Sequence, residues 1–134
     1  MKIYLTALLS LVLLSPNTPK PAASCKCGPT LYIAAGNDPT LMKIIVLNTS
    51  TGLQTIYPQP TGLISYPQDG GFTYTITFVW DTPKSGWNAY YANFSNTECG
   101  NSPINGTHGV ISFNTLCENY EVGYTTGAVE VCNN

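Results

Sequence analysis

The sequence predicts an all-β fold: an antiparallel β-sandwich of about 7–9 short strands, disulfide-stabilised, after an N-terminal signal peptide. Three observations carry this prediction. Apolar and polar residues alternate with period two through Phe72–Trp80, as in a strand with one buried face. Turn residues (Gly, Pro, Asn, Asp) recur at roughly 8–12-residue spacing, as in sandwiches. After the leader, no window shows an apolar stripe at helical spacing. Charged residues make up 9% of the 134 and hydrophobic ones 43%, the reverse of the balance that keeps chains disordered.

The leader comes first. Lys2 supplies a positive start, Ile3 to Leu14 form an apolar run, Pro16 breaks it, and Ala22, Ala23 and Ser24 follow. That order is expected of a secretory signal peptide over residues 1–24, with its Pro-rich end at Pro16 to Pro21. The run falls short of the roughly 20 apolar residues that span a bilayer, so no membrane span is expected. Cleavage before Cys25 leaves one domain over residues 25–134, while a cut nearer Ser15 leaves the Pro-rich stretch as a tail. A bacterial lipoprotein acylated at Cys25 is the rival reading.

The expected strands then follow in order. Leu31 to Ala35 runs into the Gly36-Asn37-Asp38-Pro39 turn, and Met42 to Asn48 is rich in β-branched residues. Ser50-Thr51-Gly52 turns the chain into Leu53 to Tyr57, and Leu63 to Tyr66 lies between prolines. Phe72 to Trp80 buries Phe72, Tyr74, Ile76, Phe78 and Trp80 and leaves Thr73, Thr75 and Thr77 wet. Trp87 to Phe94, Val110 to Thr115, Tyr120 to Thr125 and Ala128 to Cys132 complete the set.

Five cysteines in a small secreted domain read as a disulfide framework. Cys25 and Cys27 are expected to pair with Cys117 and Cys132, in an order the spacing leaves open. Cys99 is then left over, either a buried thiol or the link of a disulfide-bonded dimer. Zinc needs clustered Cys or His ligands at fixed spacing, and Cys25-Lys26-Cys27 with the single His108 does not supply them, so no metal is expected. Three Asn-x-Ser/Thr sequons, at Asn48, Asn93 and Asn105, are candidate glycosylation sites, each of which must face solvent if occupied.

Charge and chemistry exclude more than they suggest. Arginine is absent, the net charge is −2, and no basic stretch occurs, so no nucleic-acid partner is expected. Removing Lys2 and Lys20 with the leader leaves three lysines against seven acids, a charge of −4. No cofactor loop for phosphate or calcium is present. A hydrolase needs a nucleophile, a base and an orienting acid in reach, and His108 in a turn-like segment has no such companions. Glu118 and Glu121 fall on opposite faces of a shared strand, while Glu121 and Glu130 face each other only across a final hairpin. The expectation is no enzyme.

Binding is the more informative possibility. In Trp87–Phe94, Trp87, Ala89, Tyr91 and Asn93 share one strand face, and Asn88, Tyr90, Ala92 and Phe94 the other. The favoured reading puts Trp87 in the core and lets Asn93 merely end the strand, since large aromatics are mostly buried; the alternative is that a glycan on Asn93 turns its face outward and makes Trp87 and Tyr91 a ligand platform.

Several segments resemble a known family: Asp69-Gly70-Gly71, Tyr74-Thr75-Ile76-Thr77-Phe78, Ala92-Asn93-Phe94-Ser95, His108 to Asn119, and Gly127-Ala128-Val129-Glu130-Val131-Cys132. Together they are similar to the nematode-type six-cysteine extracellular domain. Its opening cysteine pair is matched loosely by Cys25 and Cys27, its closing cysteines by Cys117 and Cys132, and its middle pair is missing. The resemblance implies a small secreted β domain with no established activity. The functional expectation is a secreted, non-enzymatic β domain with an extracellular structural or surface-recognition role, its partner an extracellular protein or glycan of unknown identity. A carbohydrate-binding module is the sharper alternative and a small hydrolase a remote one.

Overall fold

The computed structural model describes residues 28–127, which form nine strands in two sheets and no helix. In chain order these are β1 Thr30–Gly36, β2 Leu41–Asn48, β3 Gln54–Pro58, β4 Gly62–Pro67 and β5 Thr73–Trp80. They continue with β6 Trp87–Asn93, β7 Cys99–Ile104, β8 His108–Asn114 and β9 Tyr120–Thr126. One sheet runs β4-β1-β9-β6-β7 and the other β3-β2-β5-β8. The leader, residues 1–24, and the expected strand from Ala128 to Cys132 lie outside the described residues.

β5 is the strand its alternation predicts. Tyr74, Ile76, Phe78 and Trp80 are buried, and Thr73, Thr75 and Thr77 stay half-exposed. From the facing sheet, Leu31, Ile33, Tyr120 and Val122 complete a core between the layers. Full burial of one such side chain contributes about 1.5–3 kcal/mol, and Leu41, Ile44 and Val46 of β2 with Ile111 and Phe113 of β8 add to the same core. Aromatic rings fill the middle. Tyr124 packs edge-on against Phe78 and Trp80 at 5.3 and 5.1 Å, and Tyr91 stacks on Phe113 at 4.3 Å.

Two features depart from the sequence expectation. The sandwich is not wholly antiparallel: β1 pairs β9 in parallel from Leu31↔Tyr120 to Ile33↔Val122. Hairpins impose antiparallel pairing only on strands joined by a tight turn, whereas β1 opens and β9 closes the described chain. β7 is a strand that composition hides. Cys-Gly-Asn-Ser-Pro-Ile is poor in β-formers, but it is an edge strand, where Pro103 is tolerated and register comes from pairing with β6.

Candidate functional site

β6 decides which aromatics meet solvent. Its central place in the five-stranded sheet, between β9 and β7, fixes its register from both sides. Ala89 is fully buried, and Trp87 and Tyr91 are half-buried against the core. Asn88, Tyr90, Ala92 and the following Phe94 therefore lie on the outer face.

A platform forms on that face. Cross-strand partners run Ser65, Tyr32, Glu121, Ala92 and Cys99 in one row across the sheet. Phe94, 60% exposed, stacks on Tyr32 with ring centroids 5.5 Å apart and planes 24° from parallel. In the adjacent row the Tyr90 ring lies over Gly123, where an added Cβ would come within 2.9 Å of the phenol oxygen. That glycine therefore admits the ring rather than bending the chain. The Tyr90 hydroxyl donates to Glu121 Oε1 at 2.8 Å. Burial first, and then the bond to this carboxylate, push the Tyr90 phenol well above its usual range, so it stays a donor at all ordinary pH. A shallow recess of about 260 Å³ opens beside Glu121 between Ala92, Asn93, Phe94 and Asn96.

The neighbouring end of the sandwich is polar. Asn93 is 1% exposed and acts as a hub. Its Oδ1 accepts from the backbone N–H groups of Thr97 and Glu98, both at 2.9 Å. Its Nδ2 donates to Thr97 Oγ1 at 2.8 Å and to Glu118 Oε2 at 2.6 Å. Tyr120 donates to Glu98 Oε2 at 3.1 Å, and burial followed by that bond and the charges of Glu98 and Glu118 raises its phenol to about 12, against an opposing bond from the Leu116 N–H. Where β7 and β8 diverge, a cleft of about 600 Å³ opens between Tyr91, Thr97, Glu98, Cys99, Asn114 and Leu116. At the opposite end, Lys84 Nζ pairs with Asp38 Oδ2 at 2.7 Å and sits 5.1 Å from the Trp87 ring centroid.

The residues singled out by sequence fall out as follows. Trp87 and Tyr91 do not form an outward platform; Trp87 leans on Tyr124 at 5.8 Å and Tyr91 stacks on Phe113. The platform alternative required Asn93 to face outward, but Asn93 is buried within its own hydrogen bonds. Asn48, 5% exposed, is also buried, and only Asn105 of the three sequon asparagines is exposed. Cys99 is a free, half-buried thiol, and Cys117 is disulfide-bonded. Cys25, Cys27, Cys132 and Glu130 lie outside the described residues.

His108 is exposed and shares a 2.9 Å hydrogen bond with Thr107 Oγ1. Glu118 faces Asn93 while Glu121 stands on the outer face with Tyr90, so this pair does not converge. Among the described residues no group of three or more His, Cys, Asp or Glu is placed to hold a metal, and no helix is long and apolar enough to cross a membrane.

Sequence reasoning passed over Tyr32, weighed Glu121 only as a catalytic acid, and gave Tyr90 and Phe94 a shared strand face but no binding role. The signal was present in β9, where Tyr120, Val122 and Tyr124 alternate with Glu121, Gly123 and Thr125 and so mark Glu121 as outward. Comparison with family models, with curated proteins and with solved structures gives no match.

Proposed function

We propose that this protein is a secreted, non-enzymatic recognition domain that presents the outer face of its five-stranded sheet to a carbohydrate. The observation that carries the reading is the solvent-facing Tyr32–Phe94 stack beside the Tyr90–Glu121 pair, set on a floor of Ala92 and Gly123. Flat rings with polar edges suit the C–H face of a pyranose, and a carboxylate accepts strong hydrogen bonds from sugar hydroxyls. The charge of −4 left once the leader is removed, and the Glu121 carboxylate on this face, favour neutral sugars over sulfated or uronic ones. The leader pattern, the cysteine framework and the similarity to the nematode-type six-cysteine extracellular domain support the extracellular placement.

A glycan array probed with the full chain tests the ligand class. Binding to neutral glycans is expected, and Phe94→Ala should weaken it about tenfold, roughly 1.4 kcal/mol, with little change in Tm. Tyr90→Ala should weaken it as much and also lower Tm, because its ring packs over Gly123. Retention of full binding by both variants removes the platform, and a silent array removes the carbohydrate. Sequencing the N-terminus of protein recovered from culture medium tests the leader, with Cys25 the expected first residue.

A further inference from the structure

Two of the three sequon asparagines are structural parts of the sandwich. Asn48 closes β2: its Oδ1 accepts from the backbone N–H groups of Ser50 at 3.0 Å and Thr51 at 3.1 Å, and its Nδ2 reaches the Tyr74 hydroxyl at 3.5 Å. The first two bonds form the side-chain turn that leads into β3. Asn93 uses both amide hydrogens and its carbonyl oxygen in the hub at the end of β6.

In asparagine-linked glycosylation Nδ2 attacks the anomeric carbon of an oligosaccharide carried on a lipid pyrophosphate: the N–C bond forms, the anomeric C–O bond breaks, the lipid pyrophosphate leaves, and one Nδ2 proton passes to the transferase's base. At Asn93 that step deletes a hydrogen bond to Glu118 or Thr97 and forces a bulky, hydrated group into a site that is 1% exposed. The partner left behind is then a buried, unpaired carboxylate oxygen or hydroxyl, and the sugar has to expel the β6–β7 loop as well. At Asn48 the sugar must enter beside the Tyr74 ring, itself 2% exposed. A chain modified at either position cannot reach this fold.

Asn105 differs on every count. It is exposed, and no hydrogen bond ties its side chain to any described residue. It starts the β7–β8 turn, where Gly106 takes φ 86° and the backbone is held from behind by bonds from Lys84 N to Gly106 O and Trp80 N to Thr107 O. The turn sits beyond the Trp87 end of β6, because Trp87 pairs with Ile104. Phe94 and the recess lie past the other end of that strand, about 20 Å away at roughly 3.3 Å per residue.

We infer that the folded protein carries one asparagine-linked oligosaccharide, at Asn105, which leaves the aromatic platform uncovered, while Asn48 and Asn93 serve as unmodified hydrogen-bonding hubs. This rests on the secretory part of the reading above and not on its ligand. Translation of the full chain into microsomes behind an appended strong leader separates the two, because the chain then enters the lumen whatever its own leader does.

Mass spectrometry of the folded fraction, before and after enzymatic deglycosylation, should show a single glycan mapping to Asn105. Thr107→Ala should abolish it and leave Tm close to that of the deglycosylated wild type. Asn93→Gln should keep the glycan but lower Tm by several degrees, and Asn48→Gln should do the same more mildly. A glycan on Asn48 or Asn93 in the folded fraction overturns the inference, as does an unmodified Asn105 in translocated chain. Failure of the chain's own leader to direct export from intact cells, with Asn105 modified in the microsomes, overturns the secretory reading alone.

Discussion

Asp38, in the turn between β1 and β2, shows how one residue sets a pH dependence. Burial opposes its ionisation, but the hydrogen bond from Lys84 at 2.7 Å and two more from Thr40 outweigh that and hold the carboxyl down to about 2. In the unfolded chain the same group titrates near 3.9. Because the folded value is the lower one, the stabilisation is complete above about pH 4 and is lost as pH falls towards 2. With both side chains 16% exposed, solvent screening reduces it to about 1–2 kcal/mol. Asp38→Asn should therefore lower the urea midpoint at pH 7 and flatten its decline between pH 4 and pH 2. An unchanged acid limb would show that Lys84 and Thr40 do not hold this carboxyl. The residue scale is also where the sequence misled. Asn93-Phe94-Ser95 reads locally as a glycosylation signal, yet its role is set by Glu118, 25 positions away.

Strands add a second layer, because glycines on one strand make room for rings from the next. An added Cβ at Gly100 of β7 would come within 2.5 Å of the Tyr91 ring, which itself stacks on Phe113. Gly100→Ala should push Tyr91 off Phe113 and cost about 1–3 kcal/mol in chemical unfolding. In a Tyr91→Leu background the same change should cost much less, and equal costs in both backgrounds would remove the coupling. β7 explains why some elements were illegible. Its residues carry little strand propensity, and Cys99–Ile104 is held straight by six backbone partners on β6 rather than by its own side chains. β5 lies at the other extreme. Its alternation is encoded residue by residue and survives any choice of neighbour.

For the whole molecule, the decisive feature is that the first described strand lies beside the last. β1 is flanked by β4 and β9, and closing the β1–β9 pair orders almost the entire chain between them. Loop-closure entropy must be met before such contacts stabilise anything, so the main refolding phase is expected in milliseconds to seconds. Stopped-flow tyrosine and tryptophan fluorescence checks this, and a microsecond main phase would contradict the topology. Ile33→Ala, at that seam and fully buried, should cost about 2–5 kcal/mol and chiefly speed unfolding if the seam closes after the transition state.

By itself the sequence determined the class of fold, most strand positions and the alternation of the core, because these follow from period-two patterning and turn chemistry over a few neighbouring residues. Only the tertiary structure decided which face of β6 looks outward, that β1 joins β9 in parallel, and that Tyr32, Tyr90, Phe94 and Glu121 share one surface. Each of those depends on register between strands far apart in the chain, where a shift of one residue exchanges inside for outside and no local pattern records the choice.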